Sequence, residues 1–220
     1  MLNNTIKYII RKHFEDKELC FDLLKTFQDT LEEQYANNGK IYIFTNYGKK
    51  LHPNVFTAQY HSIVGYKTSH YSFFLPVTVA MHFAGINNVD KLRQAEAILS
   101  NVGFLFNVQD DYMACFEESK VIGKDNTDIQ KGKCTWLVAT AFDYATPVQR
   151  NILKECYGSS DPEKVKRVKQ LFIDLELPDR YSIFEDEMYN LQNVLLQKLS
   201  PGPLHKFFSD LLGKLYRRSV

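Results

Sequence analysis

Apolar side chains recur every three or four residues along most of the chain, which is the spacing of amphipathic helices. Within residues 16–35 such a stripe is formed by Leu19, Leu23, Leu24, Phe27 and Leu31. The sequence Asn37-Asn38-Gly39 that follows is typical of a helix C-terminus, so we expect the helix to end there. Residues 40–54 are predicted to form a loop; the run 41–44 (IYIF) resembles a strand but has no evident partner.

The middle of the chain is unusually apolar. Residues 71–84 (YSFFLPVTVAMHFA) carry apolar side chains on all sides, which predicts a segment at the centre of a helical protein. Pro76 within this segment predicts a kink or a helix boundary. Residues 88–118 predict a longer helix, and its far end carries the adjacent acids Asp110 and Asp111.

The second half of the chain predicts shorter helices with short connections. We expect helices at 136–144, 147–156, 161–174 and 179–199, and a last one from the break at 200–203 (SPGP) to about residue 217. Residues 117–133 are polar and indicate a surface loop. We therefore predict one all-α domain over residues 1–220.

The composition argues against several classes of protein. The 27 basic and 26 acidic side chains give a formal charge of +1, which is too small to favour non-specific electrostatic binding to nucleic acid or anionic lipid. With 45% apolar residues, the chain is not expected to be disordered. The sequence contains no run of about 18 apolar residues that would predict a membrane span. Its first residues do not resemble a secretory signal, so we expect a cytoplasmic location. The four scattered cysteines predict free thiols and no zinc site.

The pair Asp110-Asp111 is the strongest local signal for chemistry. Burying two carboxylates without partners is costly, and Mg²⁺ accepts one or two protein carboxylates together with phosphate oxygens. Downstream, Lys124, Asp128 and Lys133 add the cations and the further acid that a bound diphosphate needs. Taken singly, each of these residues is more often a solvated surface charge. The second acidic string, residues 185–187 (EDE), is interpreted as a solvated helix face.

Four stretches of the chain are similar to a known family. Residues 106–114 (FNVQDDYMA) and 123–137 (GKDNTDIQKGKCTWL) match a second aspartate-rich region that reads approximately FQxQDDYLD, then GK, TDIQ and KCSWL. Residues 60–77 match YxxIVxYKTxxYSFxLPV, and the ending LYRR at 215–218 is similar to a basic C-terminus. On these strings the chain resembles the trans-isoprenyl diphosphate synthases, and farnesyl diphosphate synthases most closely.

The resemblance implies an isoprenoid-synthase-type helical bundle and a head-to-tail prenyltransferase. Such an enzyme joins an allylic diphosphate to isopentenyl diphosphate, with Mg²⁺ neutralising the leaving diphosphate. An apolar cavity between helices keeps the carbocation from water. The implied metal ligands are Asp110 and Asp111. The implied catalytic residues are Lys67, Thr68, Gln109 and Lys124. The implied substrate-binding residues are Lys67, Phe73, Phe74, Gln109, Lys124, Lys133, Arg217 and Arg218, although Phe73 and Phe74 also suit ordinary core.

The chain departs from the family pattern in several places. The family's first aspartate-rich motif lies in an N-terminal third that this chain is expected to lack, because Asp-Asp occurs here only once. Ala114 stands where the last acid of DDYLD is expected, and Asn107 stands in place of a glutamine. The family signature GQxxD has no match near residues 37–41. These changes predict weakened metal binding.

Three functional hypotheses therefore remain open. The chain is a farnesyl diphosphate synthase-like transferase or a terpene synthase derived from one. Alternatively, it is a catalytically degenerate relative that pairs with a full-length synthase, since the family forms dimers through central helices; a homodimer is the other expected assembly. The third hypothesis is a fragment of a longer enzyme. The missing motif argues against activity of the chain alone.

Overall fold

The computed structural model describes residues 2–15, 17–46, 56–117 and 127–218. In chain order the elements are α1 (Leu2–Phe14), α2 (Leu19–Asn46), α3 (Phe56–Val64), a π-helix (Gly65–Phe74), α4 (Leu75–Phe83), α5 (Val89–Phe116), α6 (Trp136–Tyr144), α7 (Pro147–Cys156), α8 (Pro162–Asp174), α9 (Leu177–Gln197) and α10 (Pro203–Leu215). These residues include no strand, so the prediction of an all-α fold is confirmed. Among the helices described, none is both long and apolar enough to cross a membrane.

The helices predicted for the second half of the chain are confirmed, and those of α6 and α7 have the predicted bounds. Polar side chains fix where three of them begin. The Thr135 hydroxyl accepts from the Val138 N–H, Thr146 forms a capping box with Gln149, and Asp161 accepts from the Glu163 N–H. Each such cap contributes about 1 kcal/mol.

The predicted end of α2 is wrong. The helix continues through Asn37-Asn38-Gly39 and through the run 41–44 to Asn46. A glycine inside a helix costs only about 1 kcal/mol relative to alanine, which tertiary packing can offset. The remainder of the predicted loop, residues 47–54, lies outside the described residues.

The apolar central segment forms one unbroken helical rod made of α3, the π-helix and α4. At the junction the Leu75 N–H bonds to the His70 carbonyl, five residues back, which is the wider π-helical spacing. Pro76 lies in the first turn of α4, one residue after the π-helix gives way to α-helix. The predicted boundary at Pro76 is thus confirmed as a change of helix type within a continuous rod.

The π-helix packs against α5 at an unusually short distance. A Cβ atom on Gly103 of α5 would lie 2.5 Å from the Ser69 Cα and 2.5 Å from the Ser69 Oγ. The Ser69 hydroxyl donates to the Ser100 carbonyl at 3.0 Å. Only a glycine permits this approach, which fixes the π-helix alongside the C-terminal half of α5.

Helix α5 contributes to two apolar clusters. Near its C-terminus, Val108 and Cys115 join a core formed with α6, α7 and α8. Nearer its N-terminus, Ile98, Leu99 and Val102 join a core formed with α4 and α10. The end of α5 that carries Asp110 and Asp111 is therefore held on several sides.

Candidate active site

The carboxylate of Asp111 joins α3, α5 and α6. Its Oδ2 accepts hydrogen bonds from the Tyr60 hydroxyl and from the Trp136 backbone N–H, both at 2.9 Å. The Asn107 amide lies at 3.5 Å from the same oxygen. Because Trp136 is the first residue of α6, the positive end of the helix dipole also faces this carboxylate.

The charge of Asp111 is incompletely compensated in spite of these contacts. Burial raises the pKa of its carboxyl to about 7, against the lowering effect of the two hydrogen bonds. Asp128 raises this pKa further, whereas the charge of Lys67 lowers it. A cation placed beside Asp111 would therefore stabilise the carboxylate form.

Asp110, the next residue, points toward a different part of the molecule. It is half-exposed, and its Oδ1 pairs with the Arg218 guanidinium. Arg218 also donates from Nε to the Gln109 Oε1 at 2.8 Å and lies 3.9 Å from the Phe106 ring centroid. The structure thus brings two predicted site residues together across 108 positions of the chain. Arg217 instead pairs with Asp186, at 3.3 Å.

Gln109 was predicted to line the reacting end, but the structure places it inside the fold. Its side chain is fully buried, and its Nε2 donates to the Glu185 Oε1 and to the Leu215 carbonyl, both at 2.7 Å. In these contacts Gln109 ties α5 to α9 and to the end of α10. In the sequence, only the position of Gln109 between the apolar Val108 and the acidic Asp110 bears on whether its side chain is buried.

The interpretation of residues 185–187 as a solvated face is wrong for Glu185. Its side chain is 5% exposed and accepts from Gln109 and, at 3.1 Å, from the Tyr181 hydroxyl. A buried carboxylate persists where such donors compensate its lost hydration. Asp186 is partly buried and accepts from Tyr216, whereas Glu187 is exposed as expected.

Thr68 contacts Asn107 and not Gln109. The Thr68 hydroxyl donates to the Asn107 Oδ1 at 3.1 Å, and the Asn107 Nδ2 donates to the Tyr60 hydroxyl at 2.9 Å. Asn107 and Tyr60 are absent from the residues predicted for the site. One signal was available for Asn107, since it precedes Asp111 by four residues and so shares its helical face.

The predicted lysines are placed only in part. Lys67 is exposed on the π-helix and lies close enough to influence Asp111. Lys133 pairs with Asp128 at the turn before α6. Lys124 lies outside the described residues.

The two predicted aromatic residues of the prenyl cavity are partly buried. Phe73 packs edge-on against Phe106, with ring centroids 5.3 Å apart, and Phe74 packs edge-on against His70 at 5.6 Å. Phe74 also lines a cavity of about 390 Å³ between α2, the π-helix, α4 and the start of α5. Thr26 and His82 are among the polar side chains that line this cavity.

None of the four cysteines is in a disulfide, as predicted. Two lie near the end of α5. Burial raises the pKa of the Cys115 thiol to about 11, and burial together with Asp111 raises that of Cys134 to about 12.

Because the thiolate is the reactive form, both thiols stay protonated at neutral pH. We expect timed alkylation at about pH 8, followed by mass spectrometry, to modify the partly exposed Cys20 well before Cys115 or Cys134. In urea all four should react alike. Equal rates for Cys20 and Cys134 in the folded chain would contradict the raised pKa of the Cys134 thiol.

The residues described here suit a hard divalent cation in chemistry but do not form a complete cage. Among them no group of three His, Cys, Asp or Glu side chains is arranged to hold a metal. Asp110 and Asp111 offer two oxygen donors of the kind that Mg²⁺ binds alongside phosphate oxygens and water. A ligand would have to supply the remaining coordination.

Comparison with known proteins agrees with this arrangement. A model of the family described as polyprenyl synthetase matches residues 1–175. The chain belongs to the polyprenyl synthetase family. The predicted family is thus confirmed.

Relatives in this family include farnesyl pyrophosphate synthases. That of Murgantia histrionica is 43% identical over 218 residues, covering 96% of this chain and 51% of the relative. That of Schizosaccharomyces pombe is 35% identical over 222 residues, covering all of this chain and 64% of the relative. The chain therefore spans about half to two thirds of the length of these two relatives.

A solved structure in the family has the same fold. The T. brucei farnesyl diphosphate synthase complexed with risedronate superimposes with a TM-score of 0.84 at 29% identity. The match covers 96% of this chain and 63% of that protein. The predicted isoprenoid-synthase type of helical fold is confirmed by this similarity.

Proposed function

We propose that residues 1–220 form one helical domain that carries the second half of a farnesyl diphosphate synthase-like site. The reaction would join an allylic diphosphate to isopentenyl diphosphate. The observation that supports this most strongly is that Lys67 and Thr68, from the π-helix, lie near Asp111 and Asn107 at the end of α5, so two separate stretches of the sequence meet there. The names of the relatives agree with this reaction class.

In this proposal Asp110 and Asp111 would each supply carboxylate oxygens for Mg²⁺ at the end of α5, from the two faces of the helix on which they lie. The ion, when bound, supplies positive charge that stabilises the leaving diphosphate. Lys67, Lys133 and Lys124 would bind diphosphate oxygens. Arg218 has to share Asp110 with the metal, because its guanidinium pairs with that carboxylate.

A second candidate function is pairing with a full-length synthase. The supporting observations are the chain's coverage of only 51% of one relative and the exposed aromatic side chains on the first two helices. Tyr8 on α1 is 61% exposed and Phe21 on α2 is 71% exposed. A partner that binds these two helices would cover such side chains. A cytoplasmic location fits either function.

The deciding experiment supplies the purified chain with Mg²⁺, isopentenyl diphosphate and an allylic diphosphate, alone and mixed with a full-length synthase. A prenyl product formed by the chain alone supports the transferase. A changed rate of the added synthase, with no product from the chain alone, supports the partner. No product at any Mg²⁺ concentration and no effect on the synthase would refute both.

Replacing Asp110 by asparagine is expected to weaken the Mg²⁺-dependent binding of pyrophosphate by about 10–100-fold, the range seen when groups supporting a metal site are removed. The neutral amide keeps the shape of the side chain but loses the charge. Arg218, no longer paired with Asp110, is expected to strengthen the binding of pyrophosphate in the absence of metal. Titration calorimetry with and without Mg²⁺ therefore has to measure how much Mg²⁺ increases the affinity for pyrophosphate. Asp210→Asn, at an exposed position of α10, is the control and should leave this gain unchanged.

A further inference from the structure

Four side chains form a continuous hydrogen-bond chain across the proposed site. It runs from the Thr68 hydroxyl to the Asn107 amide at 3.1 Å, from that amide to the Tyr60 hydroxyl at 2.9 Å, and from that hydroxyl to the Asp111 carboxylate at 2.9 Å. These residues come from three different elements, the π-helix, α5 and α3. We name this set the Thr68–Asp111 chain.

We propose that Tyr60 is a positioning residue, whose phenol holds the Thr68 hydroxyl and the Asp111 carboxylate in one fixed arrangement through Asn107. The inference rests on the proposed function, because Thr68 and Asp111 are assigned there to the reacting end and to the metal. Tyr60 itself touches neither the substrate nor the metal in this proposal.

The direction of every hydrogen bond in the Thr68–Asp111 chain follows from the carboxylate. The Asp111 Oδ2 already accepts from the Trp136 backbone N–H, so this oxygen is an acceptor and the Tyr60 hydroxyl donates to it. The phenol oxygen then accepts from the amide nitrogen of Asn107. This turns the Asn107 oxygen toward Thr68, whose hydroxyl must donate. The lone pairs of the Thr68 oxygen are thereby left for the reacting end of the site.

Burial stabilises these hydrogen-bond directions. Tyr60 is 2% exposed and Thr68 is 9% exposed, so water has little access to replace either group. Hydrogen bonds in such surroundings are stronger than in water and are costly to leave unmade.

The ring of Tyr60 is held independently of its hydroxyl. It packs edge-on against Phe104 with centroids 5.7 Å apart and belongs to the apolar cluster around α6. Tyr60→Phe therefore removes both hydrogen bonds of the phenol, leaves only the longer 3.5 Å contact between Asn107 and Asp111, and keeps the packing in place. A residue that serves only the core would tolerate this change without affecting Thr68.

The test is a double-mutant cycle between Tyr60→Phe and Thr68→Val, measured as the equilibrium constant for urea unfolding. If the two substitutions acted independently, their effects on this equilibrium constant would multiply. We expect instead a coupling factor of at least about threefold, which should vanish when the cycle is repeated with Asn107→Leu. This measurement needs no catalysis, so it remains informative if the proposed function fails.

Tyr157→Phe paired with Thr68→Val is the matched control. The Tyr157 phenol is also buried, but it donates to the Lys133 carbonyl at 2.6 Å and lies outside the Thr68–Asp111 chain. Its coupling factor with Thr68 should be about one. Independent effects of Tyr60→Phe and Thr68→Val, or coupling that survives Asn107→Leu, would overturn the proposal.

If the chain, or its complex with a synthase, is active, steady-state kinetics provide a second test. Tyr60→Phe should lower kcat about tenfold or more, with little change in the KM for the allylic diphosphate, because the link acts at the reacting end and not on binding. Coupling in the unfolding cycle with an unchanged kcat would refute the catalytic part of the inference. Absence of turnover in the unsubstituted protein would count against the proposed function alone.

Discussion

Gln109→Leu is expected to lower the free energy of unfolding by about 2–4 kcal/mol, because it strips partners from several buried groups at once. Leucine is close to glutamine in size, so no cavity contributes. The Leu215 carbonyl and the Glu185 carboxylate each lose a donor, and the Arg218 Nε loses its acceptor. Each buried polar group left without a partner costs about 1–3 kcal/mol. Tyr181 still donates to Glu185, which limits the loss.

Loss of Gln109 should also release the C-terminus from α5. Urea unfolding gives the stability, and hydrogen exchange at residues 215–218 reports the release. Gln170→Leu is the control, because Gln170 bonds only to the exposed Asp174 of its own helix in the contacts described. Unchanged stability with a marked loss of pyrophosphate binding would contradict the structural role and return Gln109 to the substrate site.

Gly103→Ala is expected to lower the free energy of unfolding by about 1–3 kcal/mol, the usual range for overpacking a core. The new methyl group would lie 2.5 Å from the Ser69 Cα, which is backbone and cannot rotate away. Either α5 or the π-helix has to move. Since Lys67 and Thr68 are next to Ser69, the substitution should also disturb the site, and hydrogen exchange across residues 65–74 should rise.

Gly213→Ala provides the matched control for this substitution. Gly213 is also in a helix, α10, but a Cβ there would meet no atom within 4 Å. Alanine should therefore stabilise the chain by up to about 1 kcal/mol through helix propensity alone. If Gly103→Ala unfolded at the same urea concentration as the original chain, the close packing of the π-helix on α5 would be refuted.

The α-helical turn explains which site residues the sequence could place. Successive residues turn by about 100° around the axis, so neighbours in sequence face different surroundings. Asn107 and Asp111, four residues apart, share the face toward Tyr60. Phe106 and Asp110 share the face that meets Arg218. The adjacent residues Asp110 and Asp111 therefore lie on two different faces of α5. Which face each one occupies depends on how α5 is rotated in the fold.

The sequence by itself determined the helices of the second half, the boundary at Pro76 and the family, because periodicity, caps and long motifs are local properties. Local signals failed at residues 37–39, where a glycine is too weak a stop to end α2. Only the tertiary structure decided that Gln109 is buried against Glu185, that Arg218 meets Asp110, and that Thr68 is linked to Asp111 through Asn107 and Tyr60. Such contacts join residues up to 112 positions apart. They depend on how helices pack and rotate against one another, which no short stretch of sequence encodes.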